Sequence, residues 1–184
     1  MRIKGIGFLQ IKEQIIYEFS RARWNDFFKK FKTDHPEFNK NILLITNISM
    51  ESFLAFANAI ANEFYNNDKK VFWRFGSLSA KVSFSEGGLF YTYLRHKQTL
   101  ENFVNYILPH IWNNFFDEGR EKFTLDENVL NIYLVGLQKY YFYIEYTVMG
   151  FIEKSLELIG IKVKETIRIK SSSEEIHYKF ILDL

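Results

Sequence analysis

The chain has 184 residues, 47% of them hydrophobic and 25% charged, with a formal net charge of +2. That length buries one sizeable core, and a balance so close to neutral argues against a nucleic-acid partner. The absence of cysteine excludes disulfides, thiolate zinc sites, iron–sulfur clusters and cysteine nucleophiles.

The N-terminus reads MRIKGIGFLQ, followed at once by Lys12 and Glu13. It has neither the apolar run nor the small-residue cleavage site of a signal peptide. No apolar stretch reaches the ~20 residues of a membrane span. The richest one, Val148 to Ile161, carries Glu153, Lys154 and Glu157. A cytoplasmic protein is expected. Two prolines and nine glycines leave no linker or repeat, so residues 1–184 are expected to form a single domain.

In chain order, residues 9–31 read as helical, with Ile11, Ile15, Phe19, Trp24, Phe27, Phe28 and Phe31 at helical spacing. Pro36 and Asn39 mark a loop. A helix is predicted from Ser49 to Tyr65, with Ser49 as N-cap and Phe53, Phe56, Ala57, Ile60, Ala61 and Phe64 as its buried stripe. A shorter helix covers Val71 to Ser83, and Gly87-Gly88 turns the chain.

Leu100 to Phe116 is the clearest helix. Its stripe runs through Leu100, Phe103, Val104, Ile107, Leu108, Ile111, Trp112, Phe115 and Phe116. Pro109 is expected to kink it and Gly119 to cap it. A strand from Val129 to Leu137 and a helix from Tyr140 to Ile159 follow. The tail reads as a hairpin turning at Ser171 to Ser173. In its first strand Val163, Ile167 and Ile169 are expected on one face, with Lys164, Thr166, Arg168 and Lys170 on the other. In its second strand Ile176, Tyr178, Phe180, Leu182 and Leu184 share a face. The build expected is α+β, a helical N-terminal half packed on a C-terminal antiparallel sheet crossed by long helices.

The four histidines form no metal-binding pair. His35 sits beside Pro36, His96 near a helix start and His177 on the solvent side of the last strand. His110, next to Pro109 in the most aromatic helix, is the one candidate for an iron ligand. No nucleophile elbow, phosphate-binding loop or converging pair of acids is present, so an enzyme is not expected. The lysines and arginine of the hairpin read as a solvated strand face. The surplus of rings (20 Phe, 11 Tyr, 3 Trp) remains, and rings line cores, interfaces and apolar pockets alike.

The order of several short motifs resembles that of heme-nitric oxide/oxygen binding (H-NOX) domains. They are Lys4-Gly5-Ile6-Gly7-Phe8, Trp24-Asn25-Asp26-Phe27-Phe28, Trp73-Arg74-Phe75-Gly76, Thr99-Leu100-Glu101-Asn102-Phe103 and Met149-Gly150-Phe151-Ile152-Glu153. The later part is also similar to heme-free relatives, the small-molecule-binding domains of the 4-vinyl reductase type and an uncharacterised bacterial family of H-NOX-like proteins. Vesicle-tethering subunits share the broader fold. The features that fit are Trp73 to Ala80, Leu94-Arg95, Leu108-Pro109, and Gly150 and Gly160 ahead of the hairpin.

The resemblance implies a non-enzymatic sensor or ligand-binding domain, acting through a signalling partner or as a homodimer. Its small apolar ligand is expected among Trp73, Tyr106, Trp112, Tyr141, Tyr146 and Met149. Heme-binding members of the family carry a proximal histidine in the helix matching Leu100 to Phe116, and His110 falls about one residue out of register with it. They also grip the heme propionates with a Tyr-x-Ser-x-Arg motif, whereas Tyr133 to Tyr143 here holds neither serine nor arginine. No cofactor is therefore expected. The alternatives are a heme gas sensor using His110 and a structural dimerising module.

Overall fold

A computed structural model describes residues 1–94 and 99–184. They fall into two compact units. His96 and Arg95, named above, lie outside the described residues.

The first unit comprises Met1–Val71 and Phe115–Asp117. It contains β1 (Arg2–Lys4), α1 (Gly5–Phe19), α2 (Arg21–Asp34), β2 (Asn47–Ser49) and α3 (Met50–Tyr65). The helical stretch expected over 9–31 is two helices. They part at Ser20, whose φ of 104° breaks the backbone path and whose hydroxyl then caps α2 by accepting from Arg23 N–H. Ser49 caps α3 as expected, accepting from Ser52 N–H at 3.1 Å. β1 and β2 pair antiparallel. Three residues each, they are too short to show a period in sequence. The core is a stack of rings: Phe8 meets Trp24, Phe38 and Phe56 at 4.9–5.9 Å. Arg2 clasps Asp117 through its main-chain N–H at 2.6 Å and its Nε at 2.7 Å.

The second unit comprises Phe72–Asn114 and Glu118–Leu184. It holds most of α4 (Val71–Phe84), then α5 (Tyr91–Leu94), α6 (Leu100–Asn102), α7 (Leu108–Ile111), β3 (Arg120–Asp126), β4 (Val129–Val135), α8 (Phe142–Leu158), β5 (Lys162–Ser171) and β6 (Glu175–Asp183). The strands form an antiparallel sheet in the order β3-β4-β6-β5. Its inner face is Leu130, Ile132 and Leu134 of β4 with Ile176, Tyr178, Phe180 and Leu182 of β6, all buried. α4 lies on that face, with the Trp73 ring 6.0 Å from Tyr178 and 6.3 Å from Phe180. Leu184 lies past the last strand and is exposed, a departure from the expected alternation.

Three further expectations are corrected here. The Leu100 to Phe116 helix is not continuous: a π-helical stretch, Phe103–Ile107, joins α6 to α7, and a 3-10 turn, Trp112–Asn114, ends it. The stripe itself is buried from Phe103 to Trp112. The wider turn carries the bond from Leu108 N–H to the Phe103 carbonyl just before Pro109, which has no N–H to give. Gly119 is not a helix cap, since it stands beyond the 3-10 turn and opens β3 at a φ of 77°. In β5, two register shifts, at Val163/Glu165 and Arg168/Lys170, invert the alternation. Val163, Thr166, Arg168 and Ser171 pair with the inner-face residues of β6, while Ile167 pairs with Lys179 on the outer face.

Candidate functional site

Two glycines set the geometry of the second unit. On α4, a Cβ at Gly76 would stand 2.8 Å from the Thr147 carbonyl carbon and 2.9 Å from Phe151 N. On α8, a Cβ at Gly150 would overlap the Trp73 carbonyl. Each helix thus presses its backbone into the gap left by the other's missing side chain. Ser77 closes the crossing, its hydroxyl 3.1 Å from the Gly150 carbonyl and 3.2 Å from that of Trp73.

Beside the crossing lies an open cleft of about 650 Å³. Arg74, Lys81, Lys154 and Lys162 supply cations, and Leu78, Ile161 and Val163 an apolar floor. Glu153 and Glu157 also reach it. Glu153 accepts the Trp73 indole N–H at 2.6 Å, and Glu157 pairs with Lys154 at 2.8 Å.

At the other end of α8 stands Glu145, a carboxylate with 0% exposure. Arg168 reaches it with Nε at 2.8 Å and a terminal nitrogen at 3.1 Å. Ser171 donates at 2.7 Å and Tyr178 at 2.5 Å. Tyr140 adds its hydroxyl beside Arg168. Such a donor set meets the cost of burying the charge. Burial, reinforced by the carboxylate it donates to, pushes the Tyr178 hydroxyl far above the usual phenol range, and Tyr140 moves the same way.

A second inward acid stands on β3. Glu121 pairs with Leu134 across the sheet, so its side chain shares the apolar inner face. Burial pushes its carboxyl up to about 8, although the residue as a whole is only half-buried.

The six residues expected around a ligand all belong to the second unit, and they separate into different settings. Trp73 and Met149 are at the helix crossing, with Met149 fully buried and Trp73 half-buried. Tyr146, half-buried, is four residues before Gly150 and so on the same side of α8. Tyr141 is buried at the entry to α8. Trp112 is buried elsewhere, its indole donating to the Glu118 carbonyl at 3.1 Å. Tyr106 is 65% exposed. None of the six lines the cleft. His110 is exposed, and its Nδ1 is engaged by the Tyr106 carbonyl one turn back. His177 is on the outer face, stacked on Tyr133 at 4.2 Å and 3.1 Å from Asn131. Among the described residues no cluster of three histidine or acidic side chains is placed to hold a metal.

The sequence reading missed the Glu145 cluster and the cleft. One signal was present: Glu145 interrupts the apolar run Tyr143-Ile144 to Val148-Met149, and a lone acid there calls for a partner.

The same arrangement of elements occurs in solved structures. An H-NOX protein from S. oneidensis, in the Fe(II) state and with three substitutions, superposes with a TM-score of 0.75 over 98% of this chain and 96% of its own, at 10% identity. An oxygen-binding H-NOX domain related to soluble guanylate cyclases gives 0.68 at 12% identity, covering 98% and 95%. Unliganded H-NOX from K. algicida gives 0.64 at 15% identity, covering 98% and 97%. The chain has the H-NOX fold. No family model and no curated protein matches the sequence. The α+β architecture and the resemblance read from the short motifs agree with this H-NOX fold. Among the described residues no helix is long and apolar enough to cross a membrane.

Proposed function

We propose that this chain is a small-molecule-binding sensor domain that uses the H-NOX fold without heme. The fold supports the first half of that reading, since solved neighbours include an oxygen-binding domain. One observation carries the second half. A ready grip for a carboxylate, Arg168 with Ser171 and Tyr178, is already filled by the chain's own Glu145. The residues present do not fit heme in other respects. Tyr133 to Tyr143 offers no serine or arginine to a propionate, and His110 stands exposed beside the buried helix stripe rather than on it.

The ligand site we favour is the cleft beside the α4–α8 crossing. Its cations and apolar floor suit an amphipathic anion, charged at one end and hydrocarbon at the other. Trp73 is tied to that cleft through Glu153, which accepts its indole N–H, and Met149 is next to Gly150 of the crossing. Binding there would act on the angle between two helices locked by glycine, which is a means of signalling to a partner or a second copy. Exposed Val82, Leu89 and Tyr93 offer apolar surface for such a contact.

Absorption spectra before and after hemin test the heme-free reading. A flat Soret region with stoichiometric hemin is expected, unchanged in His110→Ala. A sharp stoichiometric band lost in His110→Ala replaces the proposal with a heme sensor. For the cleft, native mass spectrometry of the purified chain is expected to show a bound small anion, absent from Lys81→Glu/Lys162→Glu. A ligand retained in that variant moves the site elsewhere.

A further inference from the structure

The first unit carries a turn whose chemistry is wrong for a turn. Leu43 to Thr46 closes with Thr46 N–H on the Leu43 carbonyl at 3.0 Å, so Leu44 and Ile45 occupy the two corners. Corners normally take Gly, Asn, Asp, Pro or Ser, which supply the backbone angles or local hydrogen bonds a turn needs. Here they are aliphatic and one is β-branched. Leu43, Leu44 and Ile45 are 55%, 56% and 79% exposed, three consecutive large apolar side chains in water.

The turn is also held rigidly. Leu43 N–H donates to the Thr46 hydroxyl at 2.9 Å. The opening N–H groups of α1 reach back to it, Gly5 to the Thr46 carbonyl at 2.7 Å and Ile6 to the Leu44 carbonyl at 3.1 Å. Gly5 is needed for that approach, since a Cβ there would overlap the Leu43 carbonyl. A helix start has accepted a poor helix former so that an apolar tip can be seated on it. Exposed apolar side chains on a pinned backbone, against local turn rules, are the kind of inconsistency that marks function.

The surroundings define what the tip meets. Ile42, beside the turn, lines a groove of about 270 Å³ with Lys12, Arg21 and Lys40 at its edge and the rings of Trp24 and Phe28 within. Among the described residues no carboxylate lines it. Lys12, half-buried, lies 3.7 Å from the exposed Glu13, a long contact that leaves its charge available to a stronger anion. Two classes of partner present anions around an apolar phase, an acidic protein and an anionic bilayer. Protein hot spots favour Trp, Tyr and Arg in fitted pockets and under-use Leu. A convex aliphatic tip with basic residues alongside is the combination that inserts below lipid headgroups while cations stay at the phosphate level.

We propose that the Leu43–Thr46 turn is a membrane-surface anchor, with Leu44 and Ile45 entering the interface of an anionic bilayer and Lys12, Arg21 and Lys40 resting on its headgroups. The contact is peripheral and reversible, and it is independent of the cleft in the second unit.

The test uses the full chain with extruded vesicles of phosphatidylcholine, alone or mixed with phosphatidylserine, and measures co-sedimentation. Binding is expected to the phosphatidylserine vesicles and to weaken with added salt. Leu44→Asn/Ile45→Asn is expected to reduce it about tenfold or more. Lys12→Gln/Lys40→Gln is expected to reduce it about fivefold per cation removed. All four side chains reach solvent, and far-UV circular dichroism checks that the variants fold. The chain has no cysteine, so an Ile45→Cys variant takes a single environment-sensitive dye, whose emission is expected to shift to the blue on the same vesicles. Protein that stays in the supernatant with both vesicle types overturns the proposal. So does binding that survives the apolar double variant, or a dye that does not shift when the protein pellets. A concentration-dependent dimer abolished by Leu44→Asn/Ile45→Asn, with no vesicle binding, would assign the turn to a protein contact instead.

Discussion

The main chain of Trp73 rests against the Cα of Gly150, so close that a Cβ on that glycine would stand 2.7 Å from the Trp73 carbonyl carbon. Backbone cannot turn aside as a flexible side chain does. Gly150→Ala is therefore expected to force α4 and α8 apart and to destabilise the protein by about 3 kcal/mol. Urea unfolding followed by tryptophan fluorescence measures it. Gly87→Ala serves as the comparison. It meets nothing within 4 Å but has a φ of 79°, and should cost only about 1 kcal/mol.

Gly5→Ala tests the seat of the apolar turn in the same way. Its Cβ would also stand 2.8 Å from an Ile42 methyl, so the turn must lift and the two hydrogen bonds from α1 lengthen. A loss of about 2 kcal/mol is expected. Hydrogen exchange should be faster at the substituted position and at the Ile6 amide, with the second unit unaffected.

Arg168 and Glu145 are expected to respond unequally to substitution. Arg168→Leu leaves a fully buried carboxylate with only hydroxyl donors, and a loss of about 3 kcal/mol is expected. Glu145→Gln keeps the shape and an acceptor for Tyr178 while leaving Arg168, which is 46% exposed at its side chain, free to reach water. Its cost should be about 1 kcal/mol. Equal costs measured by denaturant titration would mean that the pair acts as packing rather than as charge.

Glu121 sets a pH dependence whose sign is opposite to that of a salt-bridged acid. Its folded pKa is raised, from 4.5 to about 8, by burial against the sheet. Below 4.5 both folded and unfolded chains hold the proton, and the carboxyl imposes no penalty. Above that the unfolded chain ionises first, so stability falls as pH rises through the window up to about 8. Glu121→Gln removes this slope. The Tm of the parent should therefore decline relative to the variant across the window, and parallel curves would show that the carboxyl is already ionised in the native state.

What could be read in the sequence was local. Ser49 announced α3 because a cap acts through residues three apart, and α8 was legible because its apolar run is long. β3 was missed because Arg120 to Asp126 places only Phe123 and Leu125 as apolar residues, with Glu121 third on their face. The Arg168–Glu145 pair was illegible for a different reason. Two bulges change which β5 residues face inward, and a bulge leaves no mark in a pattern of alternation. The six ring-rich positions stand in different settings because nearness in sequence says little about direction. Tyr106 and Trp112 lie six residues apart on one helical run, yet the first faces solvent and the second is buried.

The bulged hairpin has a consequence for how the chain avoids wrong structures. Sliding β5 by one residue along β6 would place Ile167 or Ile169 opposite Tyr178 in place of Arg168. Hydrocarbon is usually welcome on an inner face, so hydrophobicity alone would tolerate that decoy pairing. Glu145 does not tolerate it, because its charge would then be stranded in the interior. The carboxylate thus works as a key that only one strand alignment fits, and the Ile-rich strand is kept from its most tempting mistake by a single acid on a neighbouring helix.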